Sequence, residues 1–428
     1  MGAEAFLSGA LRGYYAANEI TSVPEISMRE FGIGEFGRKI SSRHLSFRDN
    51  AALNHFLREK APFYISYSNA LYEFPGARPM EAKKMAGADL VYEFDADDIK
   101  TACKESHDSW KCTSQKCGRE GKGRVLACDA CGSGTKVEEW VCPECIAETR
   151  RQTLKLISFL RDDFGFSEGI AVNFSGSKGF HIHVRSESVR GLSKGARLEL
   201  LDYLTATGLD LNSLGFRYDK DPKKRSFVCP RRSLAKGWAK RIFRTIESAF
   251  ESGDASKLAV MGGTRQGAAE KLLAEKEKIL GHMDFPQGGV LLATKGVDAN
   301  KFWAAFLASA VDDAKLAKEG FEGNALGVDR QTSVDINKIV RVPGTLHGST
   351  GLCAKEVPLE KIHSFEALDE CVVLPESDVL VSNARAPRFY LGKKWFGPFS
   401  GEDVSLPLYA AFFLLARGNA SLSDESVP

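Results

Sequence analysis

Two aspartates one residue apart, Asp95 and Asp97, close the run Leu90-Val91-Tyr92-Glu93-Phe94. Large residues at Leu90, Tyr92 and Phe94 alternate, which predicts a β-strand, and side chains two apart on a strand share a face. Asp95 and Asp97 would then stand side by side, which is costly for like charges unless a cation lies between them. An oxygen-rich setting of that kind suits Mg²⁺ or Mn²⁺. Taken alone, the pair reads more readily as a solvated strand end or turn, so its partners downstream decide.

Two later stretches supply such partners. The first is a hairpin: a strand at Ile170-Ala171-Val172-Asn173-Phe174, a turn at Ser175-Gly176-Ser177-Lys178-Gly179, and a strand from Phe180 to Val184. Its glycines let backbone N–H groups approach an anion, while Ser175 and Lys178 add a donor and a charge. His181 and His183 fall on the face opposite Phe180, Ile182 and Val184. The second stretch begins at Ser333-Val334-Asp335-Ile336-Asn337, which reads as extended with Asp335 opposite Val334 and Ile336. A turn-rich segment from Arg341 to Gly348 follows, with a cation expected at each end, Arg341 and His347. Asp335 would be a third metal carboxylate, and Arg341 and His347 phosphate contacts.

A separate chemistry occupies residues 103–145. Seven of the ten cysteines lie there, and with His107 they make eight ligand-type side chains: Cys103, His107, Cys112, Cys117, Cys128, Cys131, Cys142 and Cys145. Paired Cys-x-x-Cys units at Cys128/Cys131 and Cys142/Cys145 have the spacing that clamps a tetrahedral zinc ion. The segment is poor in large aliphatic residues and needs such an additional source of stability. Eight ligands fill two closed four-ligand sites in either of two ways. A sequential arrangement groups Cys103, His107, Cys112 and Cys117 apart from the two Cys-x-x-Cys pairs. A nested one joins Cys103 and His107 to Cys142 and Cys145, around the inner four. Closed four-ligand sites are structural, so no catalysis is assigned to them.

The elements that must position these groups are mixed. Helices are expected at Ala3–Ala17, Ala51–Arg58 and Ile146–Phe164, the last with Leu154, Ile157 and Phe164 on one stripe and Gly165 as its stop. A strand is expected at Phe63–Tyr67. Arg29, Arg43 and His44 could face an anionic ligand but read as surface residues. Residues 191–320 look mostly helical, a candidate inserted subdomain, and the tail from Ser421 looks disordered.

Bulk properties narrow the class. The chain has 428 residues, 43% hydrophobic and 27% charged, with a formal net charge of +2, as in soluble globular proteins. Local charge says more than the total: from Arg217 to Arg244 eleven Lys or Arg face two Asp, with Phe227 and Trp238 interleaved. That patch would suit phosphates or form one solvated helix face. No secretory pattern opens the sequence, and the most apolar run, Leu408–Leu415, is too short for a bilayer. A cytoplasmic protein with no membrane partner is expected, and the cysteine spacing fits metal ligation better than a disulfide framework.

Four motifs together resemble the small catalytic subunit of archaeal and eukaryotic DNA primase, with the archaeal members most similar. They are Met28-Arg29-Glu30-Phe31 with Arg43-His44; Phe94-Asp95-Ala96-Asp97; Ser175-Gly176-Ser177-Lys178-Gly179-Phe180-His181; and Asp335 with Arg341-Val342-Pro343-Gly344-Thr345-Leu346-His347. Tyr409–Gly418 also looks like the family's C-terminal helix. The resemblance implies metal-binding aspartates at Asp95, Asp97 and Asp335, and nucleotide-phosphate contacts at Ser175, Lys178, His181, Arg341 and His347. It implies an α/β (α+β) catalytic core of mixed sheets around a cleft, built from residues 1–102, 146–190 and 321–428. A zinc-binding insertion would span 103–145 and a helical subdomain 191–320. The implied activity is two-metal nucleotidyl transfer making primers de novo on single-stranded DNA from nucleoside triphosphates, with a large primase subunit as partner. Lys178 departs from the family, where many members carry arginine near this position. A second zinc site is this sequence's own suggestion. Rival readings are an end-joining polymerase of the same fold, which lacks the zinc insertion, and a non-catalytic zinc-dependent nucleic-acid-binding protein, which leaves the aspartates without a role.

Overall fold

A computed structural model describes residues 2–218, 227–285, 288–316 and 334–423. The chain divides into two compact units: Met1–Leu154, Ser167–Glu199 and Ala317–Pro428 form one, and Lys155–Phe166 with Leu200–Leu316 the other. The architecture is mixed α/β, with several sheets and helices.

Eight strands of the first unit carry the candidate site: β1 (Phe31–Glu35), β2 (Arg38–Leu45), β3 (Tyr64–Ser68), β4 (Leu90–Asp95), β5 (Ile170–Phe174), β6 (Gly179–Val184), β7 (Ile339–Arg341) and β8 (Lys355–Val357). They form two four-stranded sheets, ordered β7-β3-β1-β2 and β8-β5-β6-β4, with every pairing antiparallel. Phe94, Phe174, Phe180, Ile182 and Val184 are buried, and so are the intervening Asn173, His181 and His183. The central strands therefore have both faces covered, and the expected division into an apolar and a polar face does not leave the histidines in solvent. Helix α1 (Ala3–Ala17) buries Leu7, Leu11 and Tyr15. Helix α2 (Pro143–Asp162) begins earlier than the apolar pattern suggests: Cys145 lies in its first turn and Cys142 immediately precedes it. Leu154 is exposed; the buried stripe is instead Leu156, Ile157, Phe159 and Leu160.

Arg29 is not a surface residue awaiting a ligand, whereas Arg43 and His44 are half-buried beside Glu30. Arg29 is fully buried, 2.7 Å from Asp89 and donating to the carbonyls of Ser68 and Asn69. Glu30 draws Arg43 to 3.0 Å and Lys83 to 3.4 Å and accepts from the His44 N–H. A charge buried at this depth requires a partner, and these residues supply one to each other. They tie β1 to the neighbouring strands.

The tail from Ser421 is ordered at its start: Ser421–Leu422 pairs with the Asp378–Ala386 strand through Val381↔Leu422 and Ser382↔Ser421. Residues 424–428 lie outside the described residues. Helix α3 (Leu408–Arg417) precedes this strand and ends at Gly418, whose φ of +75° makes the left-handed cap that glycine adopts without strain. No helix among the described residues is long and apolar enough to cross a membrane.

In the second unit, helices Gly237–Glu251 and Ala299–Ala314 bury Ile242, Phe243, Phe250, Phe302, Trp303 and Phe306. A three-stranded sheet of Arg217–Tyr218, Phe227–Cys229 and Gly289–Leu291 accompanies them. Part of the basic stretch is already paired. Arg241 sits 2.8 Å from Asp163 and over the Phe159 ring, Arg232 holds Asp284 and Glu247, and Arg244 holds Asp162. Residues 219–226 of that stretch lie outside the described residues.

Candidate active site

Strand register builds the site. In β4 and β6, Asp95 lies opposite Gly179, Phe94 opposite Phe180, and Glu93 opposite His181. The Gly-rich turn thus sits directly beside the acidic end of β4, and the Ala96 N–H donates to the Lys178 carbonyl at 3.1 Å. Gly179 is required by the closeness of the two chains. A Cβ there would lie 2.0 Å from the Phe94 carbonyl oxygen and 2.3 Å from a carboxylate oxygen of Asp95. Gly176, at φ +78°, would place one 3.0 Å from the Ala354 nitrogen and 3.1 Å from the His347 Cβ. Thr350 donates to the Gly176 carbonyl at 2.5 Å. The Arg341–Leu352 segment therefore closes over the turn, and the two distant motifs meet.

Asp95 and Asp97 do not share a strand face. β4 ends at Asp95 and the chain turns at Ala96–Asp98, so the acid two residues from Asp95 along the strand is Glu93. Burial first, and the Glu93 charge second, push the Asp95 carboxyl above its ordinary value. Glu93 meets His181 Nε2 at 2.9 Å and Lys338 at 3.6 Å. The sequence carried this signal in its alternation of acids, Glu93 then Asp95. Asp97 turns toward basic groups: Lys178 Nζ closes on one of its oxygens and Arg124 Nη2 lies 3.6 Å from the other. Asp97 Oδ1 is buried and makes no hydrogen bond among the described residues.

Asp335 is exposed and lies in a turn before β7, where the Asn337 N–H donates to its carboxylate at 2.9 Å. The extended reading of 333–337 is therefore replaced by a turn, with Ser333 outside the described residues. Asp95, Asp97 and Asp335 do not come from three strands, and their carboxylates do not close into one group within 4.8 Å.

The remaining groups are placed as follows. Ser175 Oγ accepts from the N–H groups of Ser177 and Gly179, both at 3.3 Å, so it braces the turn. Lys178 is 2.9 Å from Glu139, and burial lowers its pKa to about 8. Arg341 lies over the Tyr64 ring at 4.9 Å, is buried, and keeps an Nε–H with no hydrogen-bond partner among the described residues. His347 is not a cation: burial, with Arg341, Lys39 and Lys178 around it, holds its pKa well below the ordinary value. Its Nδ1 lies 3.1 Å from the Ser349 hydroxyl. A cavity of about 1200 Å³ opens beside Lys39, Ser177, Lys178 and His347. Its lining combines Lys39, Lys178, Arg417 and the His347 imidazole with the carboxylates of Glu138 and Glu139, a setting suited to a polyanion; Asp95, Asp97, Asp335 and Arg341 are not part of that lining.

The eight Cys and His side chains form two groups, each with ligand atoms mutually within 4.8 Å: Cys103, His107, Cys142 and Cys145, and Cys112, Cys117, Cys128 and Cys131. The nested arrangement is the one adopted. In the outer group His107 Nε2 is 3.3 Å and Cys103 Sγ 3.4 Å from Cys145 Sγ; in the inner group Cys112 and Cys131 are 3.5 Å apart. Both donor sets, Cys₃His and Cys₄, fit tetrahedral zinc.

Comparison with known proteins identifies a family. A family model described as DNA primase small subunit matches residues 135–359, slightly more than half of the chain. The DNA primase small subunit PriS of Methanothrix thermoacetophila is 29% identical over 97% of this chain and 98% of its own length. Those of Cenarchaeum symbiosum and Nitrosopumilus maritimus are each 28% identical, over 96% and 98% of this chain and the same shares of their own.

Proposed function

The chain belongs to the DNA primase small-subunit family, and from that premise we propose that it is the catalytic subunit of a primase. The reaction is nucleotidyl transfer: a 3′-hydroxyl attacks the α-phosphate of a nucleoside triphosphate, and pyrophosphate leaves. The product is a short RNA, or DNA as in the archaeal resemblance, begun without a primer on single-stranded DNA. A large primase subunit is the expected partner. The observation that carries this reading is the register that sets Gly179 opposite Asp95, because it puts a phosphate-type turn against the carboxylates.

The donor set fits Mg²⁺ or Mn²⁺, since Asp97 keeps a buried oxygen without a hydrogen bond among the described residues and Lys178 closes on the same carboxylate. Ions held by Asp95, Asp97 and Asp335 would neutralise the triphosphate and acidify the attacking hydroxyl. The chain's own residues do the rest. Lys178, held by Asp97 and Glu139, turns to the triphosphate when its oxygens compete for the ammonium. Arg341 offers its spare N–H in a buried setting where a hydrogen bond to an anion is strong. His347, neutral at pH 7, donates or accepts without adding charge. His181 is oriented by Glu93. Template contact rests on backbone charge, because copying must tolerate any base sequence.

The test incubates the full chain with single-stranded DNA, labelled nucleotides and Mg²⁺ or Mn²⁺, beside an Asp95→Ala, Asp97→Ala variant. New oligonucleotides from the intact chain alone are expected, with the variant reduced roughly a thousandfold, the scale of several kcal/mol of lost charge stabilisation. Extension of a supplied primer without any initiation, even with a large subunit present, favours an end-joining polymerase. Undiminished synthesis by the variant would overturn the assignment.

A further inference from the structure

A chain of buried polar contacts leads from one side of the outer cysteine group to Asp97. His107 presents Nε2 to Cys145 and holds Asp108 Oδ1 with Nδ1 at 2.8 Å. Asp108, whose side chain is fully buried, also accepts from the Trp140 N–H at 2.9 Å, and its Oδ2 accepts from Arg124 Nε at 2.6 Å. Arg124, 6% exposed, continues the chain: Nη1 donates to the Asp97 carbonyl at 3.1 Å and Nη2 lies 3.6 Å from its carboxylate. A second grip comes from Lys104, between ligands Cys103 and His107, whose buried Nζ donates to the carbonyls of Ala96, Asp97 and Ile99. Burying a guanidinium and an ammonium is costly, and both reach the Ala96–Ile99 segment, with Arg124 also 3.4 Å from Glu139.

We infer that Asp108 and Arg124 are positioning residues for Asp97, and that the outer zinc group is the anchor from which they work. The inference rests on the reading of Asp97 as a metal-binding carboxylate. The physical need follows from the fold. β4 ends at Asp95, so no strand hydrogen bond fixes the Asp97 backbone that carries the carboxylate. A metal-ligating histidine whose other ring nitrogen meets a carboxylate is held in one orientation, and that carboxylate is itself held. Here the carboxylate is shared: one oxygen serves His107 and the Trp140 N–H, the other serves Arg124. The planar guanidinium reaches Asp108 and two atoms of Asp97 at once, which an ammonium cannot do from one position.

Two substitutions test this in the full chain. Asp108→Asn keeps an oxygen for His107 and Trp140 but turns an N–H₂ group toward Arg124, so it breaks only the far link. Arg124→Gln removes the link without touching a zinc ligand. The readout is Mn²⁺ binding followed by electron paramagnetic resonance, with zinc content and melting temperature measured on the same samples. Both variants are expected to retain zinc while Mn²⁺ affinity falls about tenfold, the lower end of the effect of losing a partner of a ligating group. Arg124→Lys should recover part of that loss. Unchanged Mn²⁺ affinity in both variants, with Asp97→Asn clearly weakened, would overturn the inference and leave the metal assignment standing. Mn²⁺ binding unaffected by Asp97→Asn removes the metal assignment, and the inference falls with it. Should Asp108→Asn lose zinc, Arg124→Gln alone decides.

Discussion

The two cysteine groups have almost the same chemistry and very different surroundings. The outer one, Cys103, His107, Cys142 and Cys145, includes the first turn of α2, has Cys145 buried, and leads through Asp108 and Arg124 to Asp97. The inner one, Cys112, Cys117, Cys128 and Cys131, packs on Trp110, Val125 and Val137, leaves Cys131 exposed, and shares no hydrogen bond with Asp95 or Asp97 among the described residues. Ligand spacing is therefore a poor guide to what a zinc site does. What its ligands touch next decides whether it holds only its own loops or a second site as well.

The comparison is broken most directly by removing one ligand from each group. Cys145→Ser should cost the outer zinc and lower turnover by roughly 10–100-fold, with a clear drop in melting temperature. Zinc content and steady-state rates on the same sample check it. Gly179→Ala sets the alternative route to a misplaced site, through backbone crowding alone. Its Cβ meets the Phe94 carbonyl, so a loss of about 1–3 kcal/mol in stability is expected by denaturant titration, with both zinc ions retained. Cys131→Ser should release the inner zinc while turnover stays within about threefold, because neither Asp97 nor Lys178 depends on that group. A larger fall would show that the two groups are coupled.

The smallest expected effect concerns Glu30, which belongs to neither group. Burial pushes Glu30 up, but Arg43, Lys83 and the His44 N–H outweigh it and hold its carboxyl below 4.5. The stability this adds is complete above that value and is lost as pH falls through the lower folded value. Melting temperature measured from pH 6 to pH 3 should therefore fall less for Glu30→Gln than for the natural chain, although the variant starts lower.

Much of the candidate site was legible because its proposed chemistry depends on residue type at short spacing. The Ser175–Gly179 turn, the Arg341–His347 segment and the eight zinc-type ligands all lie in local runs whose composition betrays them. Legibility ended where one element stops and another begins. Alternation ran Asp97 into the same strand as Asp95, whereas the chain turns after Asp95 and pairs its strand face with Glu93 instead. Arg29 looked like a surface cation, and burial beside Asp89 made it structural. Arg124 and Asp108 carried no local signal, since neither forms a motif with its sequence neighbours. The charge count of 217–244 likewise could not foresee that Arg232, Arg241 and Arg244 are already paired with acids from other segments.

By itself, then, the sequence determined which groups are present: paired carboxylates, a glycine-rich turn, and eight soft or borderline ligands. Spacing and residue chemistry act over a few bonds and need no tertiary contact. Only the tertiary structure decided which of these groups meet. The nested ligand pairing, the register of Gly179 on Asp95, and the reach of Arg124 from among the cysteine ligands to Asp97 join residues separated in the chain. Their closeness is set by strand pairing and burial, which local residue patterns do not encode one contact at a time.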